Sequence, residues 1–551
     1  MRMRRERRDL FGQDCLAAAL LLIAVAVLGG CGREKAYQAD TSSPVLPGSC
    51  AVTDQAIRQW IENPSMPLEP AGSADACFYN FAWQELFALT QSEGGTPRFA
   101  TWPSDQELFP ASGDPKPWHT GARLMLGRQI RKGRGMPDAH GVIADQFKQA
   151  AALTPLTDQH GRWVHYSVVV NQPEYDYIRC CELYRGNCFN STGCNIDLPD
   201  GSVEIKLAWR VLETCDLPDS KSPCTKEDAS RYLTVKGEVE IFPIDDPSQP
   251  AKTFPATLGL VGMHIVHWTK QYPDAVWATF EHVDNAPDCP PPPVPPPAGV
   301  PPTPPPAGGP KPPPGFSDWA FYNANCNPPE GPYCQTNQYC PACPVKVPPD
   351  VAKAFNEQHA GGWQIPADNV ITCTPSPNDF NQPVKLQNGD EVWIYLFDPK
   401  ECQKPPIPTQ TCRATPISAD VNGLNDQVRA VLAGLKKLPG LPTVLANYQL
   451  VAAEWFDNRQ LQPQPQVQVA NTTMETYLQT LPTGCVLCHS NQGTVGGVNP
   501  IPSAPPMQFN SGLADRSMVF QQIRQFGTNS ACTTLQASKC KAWKEGCPAE
   551  M

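Results

Sequence analysis

Positive charge is scarce in this chain of 551 residues. Lys and Arg together number 43 against 54 Asp and Glu, so the formal net charge is −11. An acidic balance argues against a nucleic-acid partner, because binding a phosphate backbone needs clustered Lys and Arg. Glycine-rich nucleotide loops, hydrolase nucleophile elbows and metalloprotease helices are also missing from the sequence, which excludes the enzyme classes that these motifs mark.

Long apolar runs are equally scarce, and the only one lies at residues 16–28, LAAALLLIAVAVL. It is shorter than the roughly 20 residues of a stable transmembrane helix but suits the core of a signal peptide. Five arginines precede the run, and Leu28-Gly29-Gly30-Cys31 ends it. This ending resembles the lipobox of bacterial lipoproteins, which implies lipidation of Cys31 and cleavage before it. The alternative is an ordinary secretory signal.

Cysteine, by contrast, is plentiful, with 23 residues. So many thiols would be a liability in a reducing cytosol, so we expect an exported protein with disulfide bonds. We expect a lipoprotein of the bacterial cell envelope that faces the periplasm, on either the inner or the outer membrane. Closeness in sequence suggests disulfide pairs, although connectivity does not follow from sequence: Cys188–Cys194, Cys215–Cys224, Cys402–Cys412, and Cys532 with Cys540 or Cys547.

The pattern of apolar residues predicts an α+β fold with an antiparallel β-rich central domain flanked by helices. Three-and-four spacing indicates helices at 57–63, 78–91, 142–153 and 419–435. Runs of β-branched and aromatic residues indicate strands at 163–178, 202–212, 231–242, 256–269, 275–285 and 448–456. We expect further parts of the same sheet at Trp319–Tyr322, Trp363 and 391–397.

Proline is also abundant, at 64 residues, and is concentrated in CPPPPVPPPAGVPPTPPPAGGPKPPPG at 289–315. Such a stretch forms an extended polyproline segment, either a linker or, as we prefer, an insertion within one domain. A spacer role is favoured over recognition by a PxxP-binding partner.

The sequence is expected to divide into six consecutive segments: a signal peptide (1–30), a tether (31–48), a helical and then antiparallel β region (49–285), the proline-rich segment (286–316), the remainder of the β/helical domain (317–460), and a mostly helical haem segment (461–551).

The motif with the clearest chemistry is Cys485-Val-Leu-Cys488-His489. In the C-x-x-C-H pattern two thiols add to the vinyl groups of haem, and the adjacent histidine becomes the proximal iron ligand. A second pair, Cys340 and Cys343, is followed by proline, so it fits a disulfide or a redox dithiol. A disulfide beside a surface histidine is the alternative at 485–489. The motif predicts one covalently attached haem c.

Several segments together resemble a family of bacterial monohaem c-type cytochrome-like lipoproteins. They are FYNFAWQELFALT (78–90), EIKLAWRVL (204–212), VGMHIVHWT (261–269), WATFEHVDN (277–285) and NTTMETYLQ (471–479), which precedes CVLCH. The resemblance implies an exported haem protein and supplies no reaction. The proline-rich segment and the Trp-Thr pair at 268–269 depart from the family pattern.

Thr472 and Glu475 have the spacing of a capping box, so a short helix is expected to start near Thr473.

The sixth iron ligand decides between electron transfer and ligand chemistry. Met507 lies in a proline-flanked loop, and Met518 lies in a predicted helix where core packing is the ordinary role. His264 and His267 fall three positions apart in a predicted strand, so they face opposite sides unless a bulge intervenes. All four are candidate ligands, and Glu281 with His282 is a candidate proton-handling pair.

These features predict a lipid-anchored cytochrome in electron transfer with periplasmic redox partner proteins. A simple electron carrier needs about a hundred residues of fold, however, and this chain has five times that. The alternative is therefore a haem enzyme, peroxidase- or oxygenase-like, or a small-ligand binder with an open distal site on the β domain. The membrane is contacted through the lipid, and no nucleic acid is bound.

Overall fold

A computed structural model describes much of the central chain, in these ranges: 50–110, 113–121, 125–126, 156–181, 184, 198–212, 227–241, 252–289, 311–325, 345–360, 363–372, 384–389, 391–392, 394, 408–435, 443–456, 469–477 and 479. Several predictions concern residues outside these ranges: Cys31, the helix at 142–153, Cys485, Cys488, His489, Met507, Met518, and the proposed cysteine pairs other than Cys402–Cys412.

The described residues combine helices with antiparallel strands, which confirms the α+β class. The helices are α1 (Asp54–Glu62), α2 (Asp75–Thr90), α3 (Asp105–Leu108), α4 (Gln172–Cys180), α5 (Pro349–Gln358) and α6 (Ala419–Gly434). The strands are β1 (Ser92–Glu93), β2 (Thr96–Pro97), β3 (Met125–Leu126), β4 (His165–Val170), β5 (Val203–Val211), β6 (Thr234–Ile241), β7 (Lys252–His267), β8 (Val276–His282), β9 (Val345–Lys346), β10 (Val370–Ile371), β11 (Val384–Lys385), β12 (Glu391–Val392) and β13 (Tyr448–Glu454).

The central sheet has seven strands. Five of them lie in the order β13-β8-β7-β5-β4, and the other two are β6, which pairs with β7, and β3, which pairs with β6. The long strand β7 pairs with β6 through its first half and with β5 and β8 through its second half. Its pairing with β5 shifts by one residue between Leu260 and Gly262, opposite Trp209 and Ala208. The pairings are antiparallel except for that of β3 with β6. The strands predicted at 202–212, 231–242, 256–269, 275–285 and 448–456 are confirmed.

The first face of the sheet packs against helices α1, α2 and α6. Nearly all of α2 is buried, including Phe78, Trp83 and Phe87. A helix that is apolar around its whole circumference needs cover on every side, so α2 lies in the middle of this core. Alternate residues of β5 and β7, such as Ile205 and Ile265, complete the cluster. The predicted helices at 57–63, 78–91 and 419–435 are confirmed.

The second face of the sheet carries both apolar and polar side chains. Tyr166 and Ala208 contribute to a cluster that includes Phe321, Phe355 and Met474. At one end, α4 covers Val266 and Trp268. Between these apolar patches the face is polar, and this is where the candidate site lies.

The prediction of one strand over 163–178 is wrong in its second half. Strand β4 ends at Val170, and α4 begins at Gln172. Asn171 caps the helix by accepting a hydrogen bond from the backbone N–H of Glu174 at 3.4 Å. Pro173 then fits the first helical turn, where its missing N–H has no cost.

The expectation that Trp319–Tyr322 and 391–397 extend the large sheet is also wrong. Strand β12 pairs with β11 in a separate two-stranded sheet. The backbone N–H groups of Ala320 and Phe321 donate to the carbonyls of Asp284 and Asn285, at 2.8 and 2.9 Å, without forming a strand. The chain before and after the proline-rich segment is therefore linked by direct hydrogen bonds.

The structure also corrects the Cys402–Cys412 pairing, because Cys412 bonds to Cys289 across 123 residues of sequence. A second disulfide joins Cys50 to Cys77 at the start of α2. Backbone bonding explains the long-range pair, since Cys289 N–H donates to the carbonyl of Arg413 at 2.8 Å. Closeness in sequence was a poor guide to closeness in space.

None of the helices in the described part of the chain combines the length and the apolar character that a membrane span requires.

Candidate functional site

A short buried segment, residues 471–477 and 479, lies on the polar second face of the sheet. We call it the docking segment. The residues of the docking segment are buried except Glu475, which is half-buried. Its apolar members, Met474 and Tyr477, join the cluster around Phe321. Polar contacts hold the rest. Five residues of sequence lie between Gln479 and Cys485.

Glu281 on β8 is the main attachment point of the docking segment. Its Oε2 accepts hydrogen bonds from the N–H and the hydroxyl of Thr472, at 3.0 and 2.7 Å. Its Oε1 pairs with Arg413 and accepts from Gln449 Nε2 at 3.2 Å. Both Glu281 and Arg413 are buried. Burial lowers the pKa of Arg413 to about 10, which leaves it charged at neutral pH.

Asn471 folds the docking segment into hydrogen-bonded turns. Its Oδ1 accepts from the N–H of Thr473 at 2.9 Å and from the Thr473 hydroxyl at 2.8 Å. Its Nδ2 donates to the hydroxyl of Thr279 and to the carbonyl of Phe280. The predicted helix near Thr473 is wrong, because residues 472–477 form turns and the Thr472 hydroxyl donates to Glu281.

Gly262 on β7 lets the docking segment approach the sheet closely. A Cβ atom at this position would collide with Oγ1 of Thr473 and would lie 3.3 Å from Oδ1 of Asn471. Only glycine leaves space for this approach. The position coincides with the shift in pairing between β5 and β7.

His264 contacts the docking segment directly. Its Nε2 lies 2.9 Å from Oε1 of Glu475, while its Nδ1 is buried without a hydrogen-bond partner among the described residues. Burial alone would raise the pKa of Glu475, but His264 first, and then Lys206 and the N–H of Asn471, outweigh it and hold that pKa below its ordinary value. The pair therefore favours an ionised carboxylate and leaves one histidine nitrogen open.

His267 lies on the opposite face, as the alternation of side chains along a strand predicts. Its Nδ1 lies 2.7 Å from Oε1 of Glu85 in α2, and its ring stacks on Phe81. Burial raises the pKa of Glu85, although the contact with His267 opposes this. His264 and His267 thus belong to different environments, and only His264 shares a face with the docking segment.

Glu281 and His282 do not form a proton-handling pair, because their side chains leave β8 on opposite faces. His282 is fully buried, and its Nδ1 lies 2.5 Å from Oδ1 of Asp284. Its Nε2 lies 2.9 Å from the carbonyl of Arg231. Both nitrogens of His282 are therefore occupied by structural contacts.

A second polar cluster surrounds Arg210 on β5. Its guanidinium donates to Asp158 at 2.9 Å, to Glu227 at 2.7 Å and to the hydroxyl of Tyr232 at 2.8 Å. The Tyr232 hydroxyl in turn donates to Asp284 at 2.6 Å. These charges balance one another inside the protein, so the cluster fits a structural role.

A cavity of about 270 Å³ opens beside this cluster and is lined by residues that include Glu227, Arg231 and Trp319. Ligand atoms of Asp158, His160 and Glu227 lie within 4.8 Å of one another, close enough to hold a metal ion. Arg210 pairs with both carboxylates, however, and Arg162 lies 3.7 Å from Glu227. The two positive charges repel a cation at that point.

Segments 204–212, 261–269, 277–285 and 471–477 meet at this site. Their residues in β5, β7, β8 and the docking segment lie against one another, and α2 packs on the other face. Sequence reasoning singled out His264 and Glu281 but missed Arg413, Asn471 and the role of Gly262. The one signal for Asn471 was an amide residue shortly before the C-x-x-C-H motif.

No family model, no characterised protein and no solved structure matches this chain.

Proposed function

We propose that this protein is an exported, lipid-anchored c-type cytochrome that carries one covalent haem and acts in electron transfer. The observation that carries the proposal is the C-x-x-C-H motif in a chain with an export signal and a lipobox. Cys485 and Cys488 hold the porphyrin through thioether bonds, and His489 is the proximal ligand. When bound, the haem supplies one-electron redox chemistry.

The docking segment supports this proposal by fixing the chain just ahead of the motif. The contacts of Thr472 with Glu281 and of Asn471 with Thr279 tie this part of the chain to a rigid sheet. A site on a rigid element keeps its geometry better than a site on a free loop. The β domain in this proposal orients the haem segment and limits its access to water.

His264 is the described histidine that best fits a role on the distal side. A metal-binding histidine usually offers one nitrogen to the metal and gives the other to a carboxylate. His264 has this arrangement, with Nε2 on Glu475 and Nδ1 unpartnered. Met507 and Met518 remain the other candidate sixth ligands. His267 is engaged with Glu85 in the core, so we rank it below His264.

The same open nitrogen favours one alternative function. If His264 stands near the iron without binding it, the iron keeps an open position and His264 supplies a base for peroxide or oxygen chemistry. The alternative is then a peroxidase- or oxygenase-like enzyme or a binder of small ligands. Redox partner proteins in the periplasm and the membrane, through lipidated Cys31, are the partners in either case. Nucleic acid is not a partner.

The test compares two cysteine-pair variants of the full chain, produced in a host that attaches haem c. Cys485→Ser/Cys488→Ser should abolish haem staining on a denaturing gel, because both thioether bonds are lost. Cys340→Ser/Cys343→Ser is the matched control and should keep the stain. Equal staining of both variants, or no staining of the wild type, would refute covalent attachment at the motif.

The spin state then separates electron transfer from the alternative. A reduced spectrum that carbon monoxide leaves unchanged indicates two strong axial ligands and an electron carrier. A spectrum that shifts with carbon monoxide indicates an open iron position and favours the enzyme or binder.

A further inference from the structure

Two buried carboxyl groups meet between helix α4 and strand β5, away from the docking segment and the Arg210 cluster. Glu174 lies in the first turn of α4 and is 0% exposed, and Glu204 on β5 is 5% exposed. Both carboxylate oxygens of Glu174 lack a hydrogen-bond partner among the described residues. Burial, and after it repulsion from Glu204, raises the pKa of Glu174 well above its ordinary value.

Asn171 fixes the position of Glu174 over the sheet. Its Oδ1 accepts from the N–H of Val203 at 3.0 Å as well as from the N–H of Glu174, and its Nδ2 donates to the carbonyl of Gly201 at 2.7 Å. The first turn of α4 is thereby attached to the start of β5. The backbone of Glu174 is therefore fixed beside the start of β5.

Ser202 adds a third oxygen-bearing side chain on the same face of the sheet. Ser202 and Glu204 alternate with Val203, whose side chain lies in the opposite core, so both point toward α4. Ser202 is fully buried, and its hydroxyl has no hydrogen-bond partner among the described residues. Val170 and Val266 are the cross-strand neighbours of Glu204, and both belong to a buried apolar cluster.

A shared proton does not account for this arrangement. Two carboxyl groups that share a proton lie within hydrogen-bond distance of each other, but Glu174 makes no hydrogen bond to Glu204. Buried polar groups are almost always satisfied. A cation at this place would satisfy both oxygens of Glu174 and the hydroxyl of Ser202.

We propose that Glu174, Glu204 and Ser202 bind a divalent cation between α4 and the sheet, with Ca²⁺ the best match. Carboxylate and hydroxyl oxygens are hard ligands, which suit Ca²⁺ and Mg²⁺. A buried site favours Ca²⁺, because Mg²⁺ gives up its water reluctantly. The cation links the helix to the sheet and is independent of the haem proposal.

The test uses the full-length protein, treated with EDTA, reloaded with CaCl₂ and dialysed. Elemental analysis should find one Ca²⁺ per chain, counted separately from iron, and Tm should rise with CaCl₂ concentration. Glu174→Gln should lose the bound Ca²⁺ and the dependence of Tm on CaCl₂. The matched control is Glu62→Gln, an exposed position in α1, which should keep both.

Two results would overturn the proposal. One is wild-type protein without bound Ca²⁺ whose Tm does not change with CaCl₂ or EDTA, and this result does not depend on any variant folding. The other is Glu174→Gln that folds and binds Ca²⁺ as tightly as the wild type. If Glu174→Gln does not fold, Ser202→Ala serves instead and should weaken Ca²⁺ binding at least several-fold.

Discussion

His264 and Glu475 are 211 residues apart in sequence, and their side chains lie 2.9 Å apart on the polar face of the sheet. The contact joins the last part of β7 to the docking segment, which precedes the C-x-x-C-H motif in the sequence. Neither residue is fully enclosed, since their side chains are 13% and 20% exposed. Both side chains are therefore partly accessible to solvent.

Replacing Glu475 with glutamine should remove a pH-dependent part of the stability. Glu475 has a lowered pKa in the folded protein, so its contribution is complete above its ordinary value of 4.5 and is lost as pH falls through the lowered pKa. The difference in free energy of unfolding between wild type and Glu475→Gln should shrink as the solution becomes acidic. Urea denaturation at a series of pH values measures it, and a difference that does not vary with pH would contradict the assignment.

Replacing Gly262 with alanine should displace the docking segment. The new methyl group meets Oγ1 of Thr473, and overpacking of this kind costs about 1–3 kcal/mol. Adding Thr473→Ala to Gly262→Ala should recover part of the loss, which a double-mutant cycle detects. Strictly additive effects of the two substitutions would argue against the contact.

Gly423 in α6 is the matched control for that experiment. Nothing lies within 4 Å of a Cβ atom placed there. Alanine in a helix interior is favoured over glycine by about 0.5–1 kcal/mol, so Gly423→Ala should raise the free energy of unfolding. Destabilisation by both alanine substitutions would mean that the effect at Gly262 is not specific.

Replacing Glu281 with glutamine should destabilise the protein strongly. The change leaves Arg413 with only the partly exposed Asp288 as an ionised partner, at 2.6 Å, and weakens the hydrogen bonds from Thr472. Breaking a buried pair costs about 3–5 kcal/mol, so a loss toward the lower end of this range is expected. The control is Glu93→Gln, which breaks the exposed pair with Arg98 and should change the free energy of unfolding by less than about 1 kcal/mol. Similar losses in the two variants would contradict the role of Glu281.

The two disulfides should contribute different amounts to the free energy of unfolding. The bond between Cys289 and Cys412 closes a loop of 123 residues, whereas the bond between Cys50 and Cys77 closes 27. In the chain-entropy account the longer loop contributes about 1 kcal/mol more. Replacing each pair with serine and comparing denaturation midpoints measures this, and a larger loss from the shorter loop would contradict that account.

Much of the fold follows from local pattern, because strands β5–β8 are rich in β-branched and aromatic residues and helix α2 is a long, mostly apolar segment. The division at Asn171 was missed since its β-branched and aromatic neighbours outweighed the Asn and Pro signals. Alternation along β7 correctly placed His264 and His267 on opposite faces. It gave no information on what each histidine meets, because Glu475 and Glu85 come from distant parts of the chain.

Buried polar contacts are the least predictable part of the site. Arg413 follows a sequence with several prolines, PPIP at 405–408, and carries no periodic signal. It nevertheless pairs with Glu281 in the interior. Glu174 reads as an ordinary polar residue in sequence and is fully buried in the fold. Such placements depend on tertiary packing, which local propensity does not encode.

Acid–acetone extraction of the purified, exported protein tests the central claim most directly. Haem held by the thiols of Cys485 and Cys488 stays with the protein through extraction, and its pyridine haemochrome spectrum then reports one haem c per chain. This is the result we predict. Haem that leaves with the solvent, or protein that never carries haem, would contradict the account and return Cys485 and Cys488 to the role of a disulfide.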